Sequence, residues 1–222
     1  LSGIAVTATG GNGTWQYSTD GVTWTAFGAV SGSNALLLAS GSQVRYLPDA
    51  MNGETATFAF RAWDQSSGTA STNATPSYAN PGAGGGTSAY STASASATIT
   101  VTDLNDAPAL GVGATAALSP TDEQTTSSGA SVAGLLAAAG WSDVDTGAVS
   151  GIAITAVSGN GSWQYSTDGV TWNAFGAVSG SNALLLTAGA QVRYVPDGLN
   201  GETATFAFRA WDQTTGTAST NA

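Results

Sequence analysis

The 222-residue sequence predicts an all-β fold of tandem β-sandwich modules, and three observations carry that expectation. The text repeats itself at long range, short segments alternate with a period of two, and Gly-rich turns punctuate them at regular intervals. The segment SGIAVTATGGNGTWQYSTDGVTWTAFGAVSGSNALLL from Ser2 returns from Ser150 as SGIAITAVSGNGSWQYSTDGVTWNAFGAVSGSNALLL, an offset of 148 residues. Both copies continue through QVRY and NGETATFAFRAWDQ, so that about 60 of 74 alignable positions are identical. That places a domain boundary between the copies, with a first module over residues 1–108 and a second over 109–222. Both modules read as truncated. The first lacks a counterpart of residues 109–148, and the second stops before a counterpart of residues 75–108.

Each element follows from its local pattern. In TWQYS, the flanking GNG and TDG supply turns whose residues tolerate positive φ, which makes a hairpin. QVRYLP ends on a Pro that terminates its strand. In ATFAFRAW, residues 56–63 and 204–211, Phe58, Phe60 and Ala62 fall on one face and Arg61 and Trp63 on the other. Residues 75–97, TPSYANPGAGGGTSAYSTASASA, read as a protruding low-complexity loop between the last two strands. SATITVTD, residues 96–103, sets Ala97, Ile99 and Val101 against a row of Thr. SVAGLLAAAGW, residues 131–141, suits a short helix by composition, and a buried strand fits its β context better.

Composition excludes whole classes of function. Four Arg, no Lys, no His and fourteen acidic residues give a net charge of −10. Nucleic acid and anionic membrane surfaces are poor partners for such a chain, because phosphate binding needs clustered cations. Without His or Cys there is no zinc or haem ligation and no Cys or Ser–His nucleophile. Hard oxygen ligands remain. No apolar run approaches the roughly 20 residues that a membrane span requires.

Against this sparse background, 8% charged in all, the segment TITVTDLNDAPAL places Asp103, Asn105 and Asp106 within four positions. An uncompensated acidic cluster is electrostatically costly. In chain order, SDVDTG supplies Asp143 and Asp145, FRAWDQ supplies Asp212 and, in the first copy, Asp64, and TDEQ supplies Asp122 and Glu123. Ca²⁺ takes six to eight oxygens drawn from separate loops, and such a set suits it. Turn chemistry is the competing account, since Asp and Asn cap loops without any metal.

The ordered segments D-x-D, A-x-D and D-x-N-D-x-x-P resemble those of cadherin repeats. The wider text, from GIAIT through NGSWQYSTDG to RYVPDG and FRAWDQ, is similar to the cadherin-like tandem repeats of large bacterial RTX-type surface adhesins. The linker departs from the cadherin pattern at Ala107, and no L-D-R-E segment is present. The resemblance implies cadherin-like, Ig-like Greek-key sandwiches, with Ca²⁺ held at the junction by Asp103, Asn105, Asp106, Asp143, Asp145 and Asp212. It further implies that Asp64 serves the preceding junction, and Asp122 and Glu123 the following one. The function so implied is a calcium-stiffened extracellular extender, partnered by neighbouring repeats of its own chain, that spaces a distal binding domain from a cell surface.

Two other classes stay open. A carbohydrate- or protein-binding module would expose Trp, or the tyrosines Tyr78 and Tyr90, whereas a metal-free spacer would ignore calcium. The recurring Trp15, Trp24, Trp63, Trp163, Trp172 and Trp211 read as core. YSTDGVTW, residues 17–24 and 165–172, resembles an Asp-box hairpin, making Asp20 and Asp168 turn acceptors and not catalytic acids. Nothing indicates the cleft that a pair of glycosidase carboxylates needs, and no enzyme is expected.

Overall fold

The computed structural model describes residues 2–221 and is all-β apart from one short helix. It divides into two compact units, residues 1–104 and 105–222. The first contains β1 (Gly3–Gly10), β2 (Thr14–Ser18), β3 (Thr25–Ala26), β4 (Ala35–Ala39), β5 (Gln43–Leu47), β6 (Glu54–Trp63), β7 (Tyr78–Ala79) and β8 (Tyr90–Val101). These form a five-stranded sheet in the order β7-β4-β1-β6-β8 and a three-stranded sheet in the order β3-β2-β5. All described pairings in both are antiparallel. Between the sheets lie Val6, Leu36, Leu38 and Phe58 from one side and Trp15, Tyr17 and Tyr46 from the other, which is the core of a sandwich.

Alternation gives the larger sheet a second buried face. Ala5, Ala35, Leu37 and Trp63 point away from the first core and form another with Ala89 and Tyr90. Residues 64–90 make the cover. β7 pairs with β4, Ser71 donates its amide to Leu37 O at 2.9 Å, and Leu37 donates its own to Ser77 O at 3.0 Å. The loop expected to protrude over residues 75–97 is packed at Pro81, Ala89 and Tyr90, remains exposed at Gly82, Ala83, Gly86 and Thr87, and is strand from Tyr90 onward. The sequence reading failed because the Ala and Ser of this segment satisfy a sheet edge through main-chain groups, which leave no mark on side-chain pattern. Of the three apolar residues read as the inner face of β8, Ala97 and Val101 pack on the core while Ile99 is exposed.

The second unit contains β9 (Ala130–Ser131), α1 (Val132–Ala138), β10 (Gly151–Val157), β11 (Ser162–Ser166), β12 (Asn173–Ala174), β13 (Leu184–Thr187), β14 (Gln191–Val195) and β15 (Phe206–Trp211). Its sheets run β13-β10-β15 and β12-β11-β14-β9. Within residues 131–141, Val132–Ala138 form a helix, not the buried strand their context suggested. The Ser131 side chain caps it by accepting the Gly134 amide at 3.1 Å, and Val132, Leu135 and Leu136 bury one helical face. Gly140, at φ 66°, ends it in the left-handed region that other residues avoid.

Because Leu37 is fully buried under residues 64–90, Leu37→Ala should cost about 2–5 kcal/mol in urea unfolding. The wild-type segment 75–89 should resist proteolysis in the folded state, and rapid cleavage there would show the cover to be wrong.

Candidate functional site

The acidic positions are held by three short stretches of irregular backbone. Asp103 lies two residues past β8, and its Oδ1 accepts the Gly53 amide at 2.7 Å within the first unit. Gly53 must lack a side chain, since a Cβ there would lie 2.5 Å from Asp103 N. Asp103 thus anchors the end of β8 to the start of β6.

The second unit brings together Asn105, Asp106, Asp143, Asp145 and Asp212. A two-way backbone bridge between Ala109 and Ser142, at 2.8 and 3.0 Å, lays the linker beside the loop that follows α1. From there Asp145 Oδ2 accepts the Asp106 amide at 2.8 Å, and Asp143 Oδ1 accepts the Asp145 amide at 3.0 Å. Asn105 donates its side-chain amide to Asp212 Oδ2 at 2.9 Å and to Asp106 O at 3.1 Å. Asp212, just past β15, also accepts the amide and hydroxyl of Thr214 through Oδ1, at 3.0 and 2.8 Å. The Asn105 amide, aided by these Thr214 donors, holds the Asp212 carboxyl below the ordinary carboxylate range.

Turn chemistry therefore accounts for one oxygen of Asp143, and the linker amide of Asp106 for one of Asp145. Neither accounts for the other two. Among the described residues, Asp143 Oδ2 and Asp145 Oδ1 are buried with no hydrogen-bond partner, and buried polar atoms are ordinarily satisfied. The donor set is oxygen only, which fits a hard divalent cation. Among the described residues no three acidic side chains already stand as a group that would hold a metal.

The remaining acids are separate. Asp64 Oδ1 accepts the Ser66 amide at 2.8 Å, repeating the turn at Asp212, and the Ser66 donors lower its pKa. Asp122 accepts the Gln124 amide at 2.9 Å, and the Thr125 hydroxyl is the first cause of its lowered pKa. Glu123 is half-buried.

The aromatic residues divide. Trp15, Trp63, Trp163 and Trp211 are core as expected. Trp24 and Trp172 are not: each is only half-buried and lies beneath a guanidinium, of Arg45 at 4.1 Å and Arg193 at 4.0 Å. Tyr90 is buried, and Tyr78 packs inward with its hydroxyl donating to Phe27 O at 2.8 Å. These two tyrosines offer no exposed stacking surface.

Sequence reasoning missed a recurring Tyr–Glu pair. The Tyr46 hydroxyl donates to Glu54 Oε1 and accepts the Gly13 amide, and Glu54 Oε2 accepts the Asn12 amide at 2.8 Å. Tyr194, Glu202, Gly161 and Asn160 repeat it. The hydrogen bond from tyrosine is the chief cause of the lowered glutamate pKa, while burial leads in raising that of the tyrosine. The verbatim return of NG and NGE in both copies was the available signal.

Comparison of the chain with protein-family models, with curated proteins and with solved structures gives no match. Among the described residues no helix is long and apolar enough to cross a membrane.

The hairpin reading of Asp20 and Asp168 has a titration consequence. Asp168 Oδ1 accepts the amides of Val170 and Thr171 at 2.8 and 2.7 Å, as Asp20 does from Val22 and Thr23. These amides push both carboxyls far below their ordinary 3.8. A depressed folded pKa contributes stability that is full above the unfolded value and is lost as pH falls through the folded one. Asp168→Ala should therefore lower the Tm at neutral pH, and the gap from wild type should close on acidification below about 4. A gap independent of pH would assign the loss to packing.

Proposed function

We propose that the chain is a pair of calcium-stiffened extender modules of an extracellular bacterial surface adhesin. The observation that carries this reading is the pair of buried, unpartnered oxygens on Asp143 and Asp145, set where the linker is already tied to the module it enters. Two near-identical copies support a spacer, because a dedicated binding or catalytic domain has no need to recur almost verbatim.

Asp143, Asp145 and Asp212, with Asn105 and Asp106, are the residues that would hold the ion. Bound Ca²⁺ supplies positive charge that offsets the mutual repulsion of these carboxylates. The protein groups do the positioning. Asp145 fixes the Asp106 amide, Asn105 bridges from the linker to Asp212, and the Ala109–Ser142 bridge prevents the linker from swinging away. Without a cation, two partly desolvated carboxylates two residues apart in one loop repel, and the linker loosens. An extracellular setting suits such a device, since exposed modules bind calcium at about 10⁻⁴–10⁻³ M.

Thermal unfolding of the 222-residue chain with calcium and then with chelator tests the proposal. Near saturation the Tm of the second unit should rise by about 10 °C, and an Asp143→Ala, Asp145→Ala double variant should lose most of that rise. An unchanged Tm in wild type would leave the acids as turn formers in a metal-free spacer.

A further inference from the structure

The same ten residues, ETATFAFRAW, stand in both units and do not fold alike. In the first unit they form β6 along their whole length, paired on one side with β1 and on the other with β8. In the second, residues 202–205 are not strand, β15 begins only at Phe206, and among the described residues its sole partner is β10. Burial follows pairing. Ala56 and Phe58 are 0% and 5% exposed, whereas their counterparts Ala204 and Phe206 are only half-buried.

Beside that free edge lies a cleft of about 1390 Å³, whose lining includes Leu118, Trp163, Tyr194, Ala204, Phe206 and Phe208. A glycine points to its occupant. Gly53 is required because the chain leaving β8 passes so close that a Cβ would meet Asp103 N at 2.5 Å, yet a Cβ on its counterpart Gly201 would meet nothing within 4 Å. The approach is also the same. Residues 212–221 follow the path of 64–73, with Ser219 N bonded to Leu185 O, Tyr165 to Thr220 O and Thr167 N to Asn221, as Ser71, Tyr17 and Thr19 bond in the first unit.

We infer that the β15 edge and its cleft are an acceptor for one antiparallel strand of this same repeat, the counterpart of β8. In the β6–β8 register, a small residue such as Ala97 falls opposite Phe206 and a valine opposite Glu202. Two residues beyond the valine, an aspartate accepts the Gly201 amide as Asp103 accepts that of Gly53. Main-chain hydrogen bonds supply the affinity and the small apolar positions the register, as in strand addition generally. The edge-to-edge pairing of two copies leaves the cleft unfilled and Gly201 unexplained. This inference needs no cation and does not depend on the calcium reading.

The probe is a synthetic peptide with the sequence of residues 88–106, added to the 222-residue chain in the presence of chelator and followed by amide hydrogen exchange. At saturation, exchange across residues 202–211 should slow by at least about tenfold while residues 54–63 stay unchanged, and the Tm of the second unit should rise. A peptide carrying Ala97→Asp and Val101→Asp should give no protection, and one carrying Asp103→Ala should bind more weakly. Absence of protection at 202–211, equal protection by the double-Asp peptide, or self-association that protects β15 before any peptide is added would each overturn the inference.

Discussion

The fold of each unit is organised around one buried indole. Trp15 lies within 5.0 Å of Tyr46 and 4.9 Å of Phe58, centroid to centroid, and Trp163 repeats this with Tyr194 and Phe206 at 4.9 and 4.8 Å. An aromatic cluster of this size supplies much of the apolar burial of a small sandwich. It also imposes polar conditions, because the indole N–H must be satisfied when buried. Trp15 donates to Gly10 O and Trp163 to Ser158 O, each at 3.1 Å, which fixes the turn leading into the next strand. That turn then needs Gly13 and Gly161, where a Cβ would fall 2.2 Å from the carbonyls of Leu47 and Val195. Tyr46 and Glu54 complete the corner by receiving the turn amides. Sheet spacing, turn shape and the direction of β5 and β14 all follow from seating that ring.

The acidic residues serve a second tier of order. Eight of the eleven aspartates accept a backbone amide two or three residues along, which is how a chain with so few charges holds its loops in shape. Asp143 and Asp145 depart from that economy, each presenting a buried oxygen that no donor among the described residues reaches. Both lie in the loop after α1, where Asp145 also accepts the Asp106 amide of the linker.

A good part of this architecture was legible in the text. Period-two alternation in ATFAFRAW, the turn residues around TWQYS and the long repeat sufficed for an all-β sandwich, since side-chain periodicity reports directly on which face of a strand is buried. The hairpin role of Asp20 and Asp168 was legible for a similar reason, their partners lying two and three residues away. The grouping of Asn105 with Asp212, 107 residues apart, had no local signature. Nor did the packing of residues 75–89, where Ala, Ser and Gly hold position through main-chain bonds, nor the helix over Val132–Ala138, whose Leu and Ala suit either state until a neighbouring core selects one.

By itself, then, the sequence determined the fold class, the module repeat, the aromatic cores and the turns, because each is encoded by contacts or conformational preferences within a few residues. The tertiary structure decided which acids meet, which Trp faces remain open beneath an Arg, and whether ETAT is a strand. The last case gives the physical reason most directly. Identical residues are strand in 54–57 and irregular in 202–205, because a strand's edge hydrogen bonds and half of its burial come from a neighbour that the segment's own residues do not specify.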